Sequence, residues 1–400
     1  MKMTTRMMTR KTVVGMMALM TVCTTGWAQD AELTPGGDWM GRLADDVLVA
    51  RVSIPGAHDS ATGCGWGEGA EETGESYART QDLSIAQQWH TGVRAFDLRP
   101  CLYEGYMNLN HGIVPTSMHF EEALELLRDS LAAHPTEFAV IHLLHETDGD
   151  AVEDDYGTRL KALLNREDLK PLFVKFKTGL TVGDMRGKIL LLSRDAYATS
   201  ITVGGVFKNW TGEANWDRQT QGRINGPGGT AGTCYMQDYS DTHNTGGINI
   251  KINAIKRLLD FSTTYTTTNL ASIRWIFNFA SAYSKVLSIF GYEISTSEGY
   301  RDNAAHTHAA ILDYLDTHQA GPMGIVIMDY VGVDQSQGYE VKGAQLVKAI
   351  IDNNFKYLDD VTKISSPKVQ GTDVHAYNLN GIPATTRGLY IYNGKKTLVK

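Results

Sequence analysis

The chain has 400 residues, 42% of them hydrophobic and 20% charged, with a formal net charge of -8. That length allows one large domain or two modest ones, and the acidic balance excludes a general attraction to polyanions, so nucleic acid is not an expected partner. An anionic substrate has to be met by a local cluster of positive groups.

The chain begins with Lys2, Arg6, Arg10 and Lys11, followed by an apolar run from Val13 to Val22 and then Gly26-Trp27-Ala28. This is the pattern of a signal peptide over residues 1–28, with small residues where a signal peptidase reads. The run is too short to span a bilayer. Export to the medium or the cell surface is therefore expected. Cys23 raises a lipid anchor as an alternative, against which Val22 is bulkier than the small residue such sites prefer. Cleavage leaves Cys64, Cys101 and Cys234. Export permits a disulfide and the odd count leaves a free thiol; a Cys64–Cys101 bridge is expected, with buried thiols as the alternative.

Short β-like runs then recur: Val47–Ile54, Gly92–Leu98, Phe138–Leu144, Lys188–Leu192 and Gly324–Met328. Between them, Met118–Ala133 puts Phe120, Ala123, Leu124, Leu127 and Leu131 on one helical face before Pro135 stops it. Strand–helix units of this kind predict an α/β fold, a distorted (β/α)8 TIM-type barrel over residues 29–365. Residues 200–247, rich in Gly, Thr and Asn, read as long loops. Trp210 and Trp216 there, like Trp66, are candidates to dip into lipid headgroups, whereas Trp89 and Trp275 read as core. Composition changes near Ser366-Pro367. The ending, with Gly388-Leu-Tyr-Ile-Tyr-Asn-Gly-Lys-Lys, carries a hairpin signal and resembles the C-terminal sorting domains of type IX secretion substrates. Residues 366–400 are accordingly expected to form a small β-rich tail; a hairpin packed on the barrel is the alternative.

Four segments carry chemistry. In Ser53-Ile-Pro-Gly-Ala-His58-Asp59-Ser60, Pro55-Gly56 predicts a sharp turn that presents His58 and Asp59 beyond a strand. In Gly92-Val-Arg-Ala-Phe-Asp97-Leu-Arg99, alternation puts Asp97 and Arg99 on one face, as a structural ion pair or as a carboxylate beside a phosphate-binding fork. Asn110-His111-Gly112 offers a second imidazole, and Ile325-Val-Ile-Met-Asp329-Tyr330 an acid that needs a partner. Two histidines, an arginine and several acids suffice for phosphoryl transfer without a metal: one ring takes a proton, the other gives one, and the guanidinium offsets phosphoryl charge. Spacing alone does not say which histidine does which.

In order and wording these segments resemble the bacterial phosphatidylinositol-specific phospholipases C, and Gly187-Lys-Ile-Leu-Leu-Leu-Ser-Arg194 resembles the family's strand ending in a head-group arginine. The resemblance covers roughly residues 47–360. It implies that His58 is the general base on the inositol 2-hydroxyl, oriented by Asp329. His111 would be the general acid, assisted by Asp59, and Arg99 would bind phosphate with Asp97 in support. The implied products are a cyclic inositol phosphate and diacylglycerol, from phosphatidylinositol or a glycosyl-phosphatidylinositol anchor. No metal or other cofactor is implied, because Arg99 stands where calcium-dependent relatives carry acids. Transient interfacial membrane contact by a monomer is expected. Two departures concern the head group. Leu144 and His145 stand where bacterial members tend to carry lysine, and the Asp-x-Tyr motif falls at Gln237-Asp238-Tyr239-Ser240 with its tyrosine displaced by one. Arg194, Asp238, Tyr239 and His145 are the candidate substrate-binding residues. Two rivals are a metal-dependent glycerophosphodiester phosphodiesterase, which would start with His-Arg-Gly, and a catalytically silent lipid- or glycan-binding surface protein. His142 and His145, like His306 and His308, read as structural or surface histidines rather than metal pairs.

Overall fold

The computed structural model describes residues 38–103, 105–147, 150, 156–195, 202–210, 220–243, 247–264, 272–284, 286–289, 292–334, 338, 340–358, 388–392 and 395–399. The expected signal peptide with Cys23, Trp216 and the Ser366-Pro367 junction lie outside the described residues. The chain divides into a unit ending at Tyr357 and a second from Leu358.

In the first unit, β1 (Ile54–Ala57) and β2 (Ala95–Leu98) are followed by a separate antiparallel sheet of β3 (Pro100–Tyr103), β4 (Tyr106–His111) and β5 (Val114–His119). Then come β6 (Ala139–Leu143), β7 (Ile189–Ser193), β8 (Gly205–Lys208), β9 (Thr220–Asn225), β10 (Ala231–Gln237) and β11 (Arg274–Phe279). A hairpin of β12 (Val286–Ile289) and β13 (Tyr292–Ser295) precedes β14 (Ile325–Met328). Nine of these strands close a barrel in the order β1–β14–β11–β10–β9–β8–β7–β6–β2; helices such as Phe120–Ala133 and Ile248–Thr263 lie between them along the chain, and Gly343–Tyr357 follows the last. The five apolar residues predicted for the face of the Phe120–Ala133 helix are all buried, as are Trp89 and Trp275. No described helix is long and apolar enough to cross a membrane. In the second unit, Gly388–Tyr392 and Lys395–Val399 pair antiparallel.

Three expectations are corrected. The 47–54 run is mostly not a strand: Val49–Arg51 is a 3-10 turn, and β1 begins at Ile54 and runs through the Pro55-Gly56 expected to turn. Gly56 belongs in the strand because a Cβ there would meet Ala95 Cβ at 3.0 Å on one side and Ile327 Cγ1 at 3.1 Å on the other. Closing the barrel at that point leaves no room for a side chain.

Residues 200–247 are also not all loop. β8, β9 and β10 form a meander in which β9 runs antiparallel to both neighbours, so the barrel has nine strands instead of eight. Gly222 and Gly232 are close-approach positions within strands, whereas Gly228 and Gly229 do stand in the turn between β9 and β10. A Cβ on Gly222 would lie 2.5 Å from Met236 Cε, and one on Gly232 would lie 2.9 Å from Phe176 Cζ. Finally, Cys64, Cys101 and Cys234 are all free thiols, with the Cys64 sulfur against Met118 Sδ at 3.7 Å.

Candidate active site

The carboxyl ends of β1 and β14 explain the first pair. The strands are parallel with Ala57 opposite Met328, so the next residues, His58 and Asp329, emerge side by side. Just past them the backbone turns into the left-handed region at Asp59 (φ 40) and Tyr330 (φ 46), a strained choice, above all for a tyrosine. His58 Nδ1 lies 2.7 Å from Asp329 Oδ1, and the other Asp329 oxygen accepts from the Ala282 amide at 3.3 Å. A carboxylate on Nδ1 fixes the ring orientation and leaves Nε2 as the working atom. The His58 carbonyl is itself pinned by Gln81 Nε2 at 2.8 Å and Thr80 Oγ1 at 3.1 Å. Burial alone would push the His58 ring down, but Asp59 and Asp329 outweigh it and raise its pKa to about 9.

The end of β2 supplies the anion-binding group. Asp97 pairs in register with His142 on β6, whose Nδ1 lies 2.8 Å from Asp97 Oδ1. Arg99 donates from Nη2 to Asp97 Oδ2 at 2.8 Å and lies 3.0 Å from Asp59 Oδ1 through Nε. Its Nη1 is 3.8 Å from Glu146 Oε2, beyond hydrogen-bond distance. Burial works against both charges of the central pair. Even so, Arg99, His142 and His58 hold the Asp97 carboxyl well below the usual range, while Asp59, Asp97 and Glu146 keep the guanidinium protonated.

The second imidazole comes from outside the barrel. His111 ends β4, and the 3.6 Å between its Nε2 and Asp59 Oδ2 places it across from His58, whose Nε2 is 3.2 Å from the same oxygen. The two ring centroids are 6.2 Å apart. His111 Nδ1 lies 2.7 Å from the Ala78 carbonyl, so Nδ1 carries a proton and donates there, which leaves Nε2 as the working atom. Gly112 beyond it takes φ 57 in open space, so the glycine serves the turn and not a close approach.

His58, Asp59 and Asp97 bring three donor atoms within 4.8 Å of one another, a spacing that suits a cation. Arg99 Nε and Nη2 lie on the same two carboxylates, so a metal would have to displace a guanidinium. The donor set fits an arginine better than an ion.

No family model matches the chain. The 1-phosphatidylinositol phosphodiesterase of Staphylococcus aureus (strain NCTC 8325 / PS 47) is 24% identical over 352 residues, 84% of this chain and 97% of that protein. Its namesake from Listeria monocytogenes serovar 1/2a is 30% identical over 164 residues, 39% of this chain and 48% of that protein. A pentafluoro-Phe-substituted phosphatidylinositol-specific phospholipase C from S. aureus superposes with a TM-score of 0.63 at 23% identity, over 79% of this chain and 98% of that one. The L. monocytogenes phospholipase does so with a TM-score of 0.57 at 22% identity, over 80% and 98%. Over most of its length the chain is thus similar to the bacterial phosphatidylinositol-specific phospholipases C.

The residues this phospholipase C-like chain was expected to use for the head group divide. Arg194, following β7, and Asp238, following β10, meet at 3.3 Å on the same barrel end. Tyr239 is buried, at 4% exposure, so its ring is not available to stack on a ligand. The ring that is there belongs to Trp210. Its Nε1 donates to Asp238 Oδ2 at 2.8 Å, and the Arg194 guanidinium lies over it at 4.7 Å. Trp210 is thus half-buried among the barrel's own side chains, packed on Phe207 and His142. Trp66 is buried too, with Nε1 bonded to Glu75 at 3.0 Å. His145 engages Asp150 at 2.8 Å and stacks on Tyr156, with centroids 3.6 Å apart. From its segment it is His142 and Glu146 that reach the cluster. Sequence reasoning left His142 among structural histidines; a lone polar residue amid the apolar β6, in register beside Asp97, was the available signal. His306 is exposed and His308 wholly buried, on the Ser297–Thr317 helix.

Proposed function

We propose that the chain cleaves the phosphodiester of phosphatidylinositol to diacylglycerol and a cyclic inositol phosphate. The observation that carries this is the pair of imidazoles whose Nε2 atoms flank one Asp59 oxygen while Arg99 lies on the other. His58 Nε2 takes the proton of the inositol 2-hydroxyl, whose oxygen attacks phosphorus. His111 Nε2 gives a proton to the departing glycerol oxygen, and that P–O bond breaks. Arg99 offsets charge on the phosphoryl oxygens, and Asp97 holds the fork in line. Trp210, Arg194 and Asp238 face the inositol ring. Glycosyl-phosphatidylinositol anchors present the same phosphodiester and are a second substrate of this reading.

The experiment incubates purified protein with phosphatidylinositol vesicles and with a glycosyl-phosphatidylinositol-anchored protein, with and without chelator. Cyclic inositol phosphate is expected, undiminished by chelator. Its absence from both substrates would sink the reading, and a chelator-sensitive product would favour the metal-dependent rival. A silent binding protein would keep its biological effect in His58→Ala.

The enzyme on this reading works as a monomer outside the cytoplasm, after signal cleavage behind Ala28 and with residues 366–400 as a sorting tail. Mass determination of the secreted protein tests both ends. Its membrane contact is interfacial, and Ile113 is the residue we would place there. It is 75% exposed, two positions beyond His111 in the β4–β5 turn. Ile113→Asp should lower turnover on vesicles severalfold and leave a soluble short-chain substrate untouched.

A further inference from the structure

Tyr300, on the Ser297–Thr317 helix, takes no part in the chemistry above, yet it stands inside the cluster. It is 5% exposed, and its ring faces both imidazoles, with centroids 5.5 Å from His111 and 6.4 Å from His58. Its hydroxyl lies 3.3 Å from His111 Nε2 and 2.8 Å from the Oγ of Ser295, a half-buried residue at the end of β13.

Those distances matter because of what else His111 Nε2 faces. Nδ1 is committed to the Ala78 carbonyl, so every proton the ring gives or takes passes through Nε2. Asp59 Oδ2 lies 3.6 Å away. Once the proton has left, the bare Nε2 lone pair would point at a carboxylate, which opposes donation and would swing the ring away. A hydroxyl beside Nε2 removes that conflict, because it accepts from the imidazolium and donates to the neutral imidazole.

We propose that Tyr300 is a positioning residue for His111, and that the Tyr300 and Ser295 hydroxyls reorient together as the proton leaves Nε2. In the charged state Nε2–H is free to face the leaving oxygen or Tyr300. In the neutral state Tyr300 O–H donates to Nε2 and Ser295 Oγ–H donates to the Tyr300 oxygen. Two O–H rotations satisfy both states and the ring does not move. Burial pushes the tyrosine hydroxyl up, so it keeps its proton throughout.

The inference rests on His111 being the general acid of the proposed reaction, and a leaving-group comparison tests it. Tyr300→Phe keeps the ring and removes the hydroxyl. On a short-chain phosphatidylinositol, whose alkoxide needs a proton to depart, kcat should fall about tenfold with KM nearly unchanged, the worth of one hydrogen bond made in the transition state. On an inositol nitrophenyl phosphate, whose phenolate leaves without a proton, the fall should be about twofold or less. Ser295→Ala, which leaves the tyrosine packing in place, should show the same asymmetry in smaller degree. Equal losses on both substrates would make Tyr300 merely structural and overturn the proposal, as would full activity on the lipid. Failure of the wild-type protein on both substrates would instead refute the activity itself.

Discussion

Arg94 and Arg99 flank the same strand, β2, and both are charged groups taken largely out of water, yet their surroundings differ in kind. Arg94, wholly buried, pairs with Glu137 at 2.9 Å and gives Nη1 to the Trp89 and Val93 carbonyls at 2.8 Å. Its guanidinium lies 3.8 Å from the Trp89 ring centroid, and Glu137 is itself hydrogen-bonded by the Met40 amide at 2.9 Å. Charge and hydrogen bonds balance. Arg99 keeps 15% of its side chain exposed and has three carboxylates around it. Among the described residues, the buried Asp59 oxygens meet cations at 3.0, 3.2 and 3.6 Å without one hydrogen bond of good geometry. A buried charge that is over-supplied with partners but under-satisfied in hydrogen bonds is poorly explained by stability alone. It is well suited to accept a ligand or move a proton.

The largest effect should come from the balanced end. Arg94→Met leaves Glu137 buried without its cation and should destabilise the fold by about 3–5 kcal/mol, with kcat per folded molecule unchanged. Denaturant unfolding measures the first and active-site-normalised turnover the second. Adding Glu137→Leu should recover most of the loss. If the single variant unfolds normally but is inactive, the contrast between the two arginines runs the other way round. Arg99→Lys should behave in the opposite manner. It keeps the charge but not the planar fork, so kcat/KM should fall about 10²–10³-fold while thermal unfolding barely moves. Turnover within a few-fold of wild type would remove Arg99 from the chemistry.

This contrast was only half visible in the sequence. Alternation along Val93–Arg99 put Asp97 and Arg99 on one face. The Ala-His58-Asp59 and Met-Asp329 segments read as strand ends, because a polar group can close an apolar run only where the strand leaves the core for the barrel mouth. Five of the six expected catalytic residues fall in one cluster for that reason, and His111 joins them from β4, outside the barrel. The sequence did not show which partners each would meet. Asp59 bridges both histidines only because its backbone takes φ 40, and Tyr300 arrives from a helix far along the chain. Trp210, not Tyr239, is the ring beside Arg194 and Asp238, and the β8–β10 meander that brings it there is hidden among glycines. Charge and periodicity are local signals, whereas register across a barrel and left-handed turns at strand ends are not.

The subtlest test concerns protons. His58 is faced by Asp59, Asp97 and Asp329, by Arg99 and by the His111 ring. Burial lowers its pKa, Asp59 and Asp329 raise it further, and the net value is about 9. A general base works when neutral, so kcat/KM of the wild type should climb as pH rises through that region and the free ring loses its proton. Asp329→Asn removes one of the carboxylates that raise it, while the amide oxygen can still accept from Nδ1–H and keep the tautomer. His58 then becomes neutral at lower pH. The acid limb of the kcat/KM profile should move down by about one to two pH units, with a lower plateau because the imidazolium formed in the reaction has lost a counter-charge. Glu137→Gln, the matching change at the balanced end, should weaken the fold and leave that limb where it was. An acid limb unmoved in Asp329→Asn would mean that the limb does not report the His58 proton and would remove His58 as the general base.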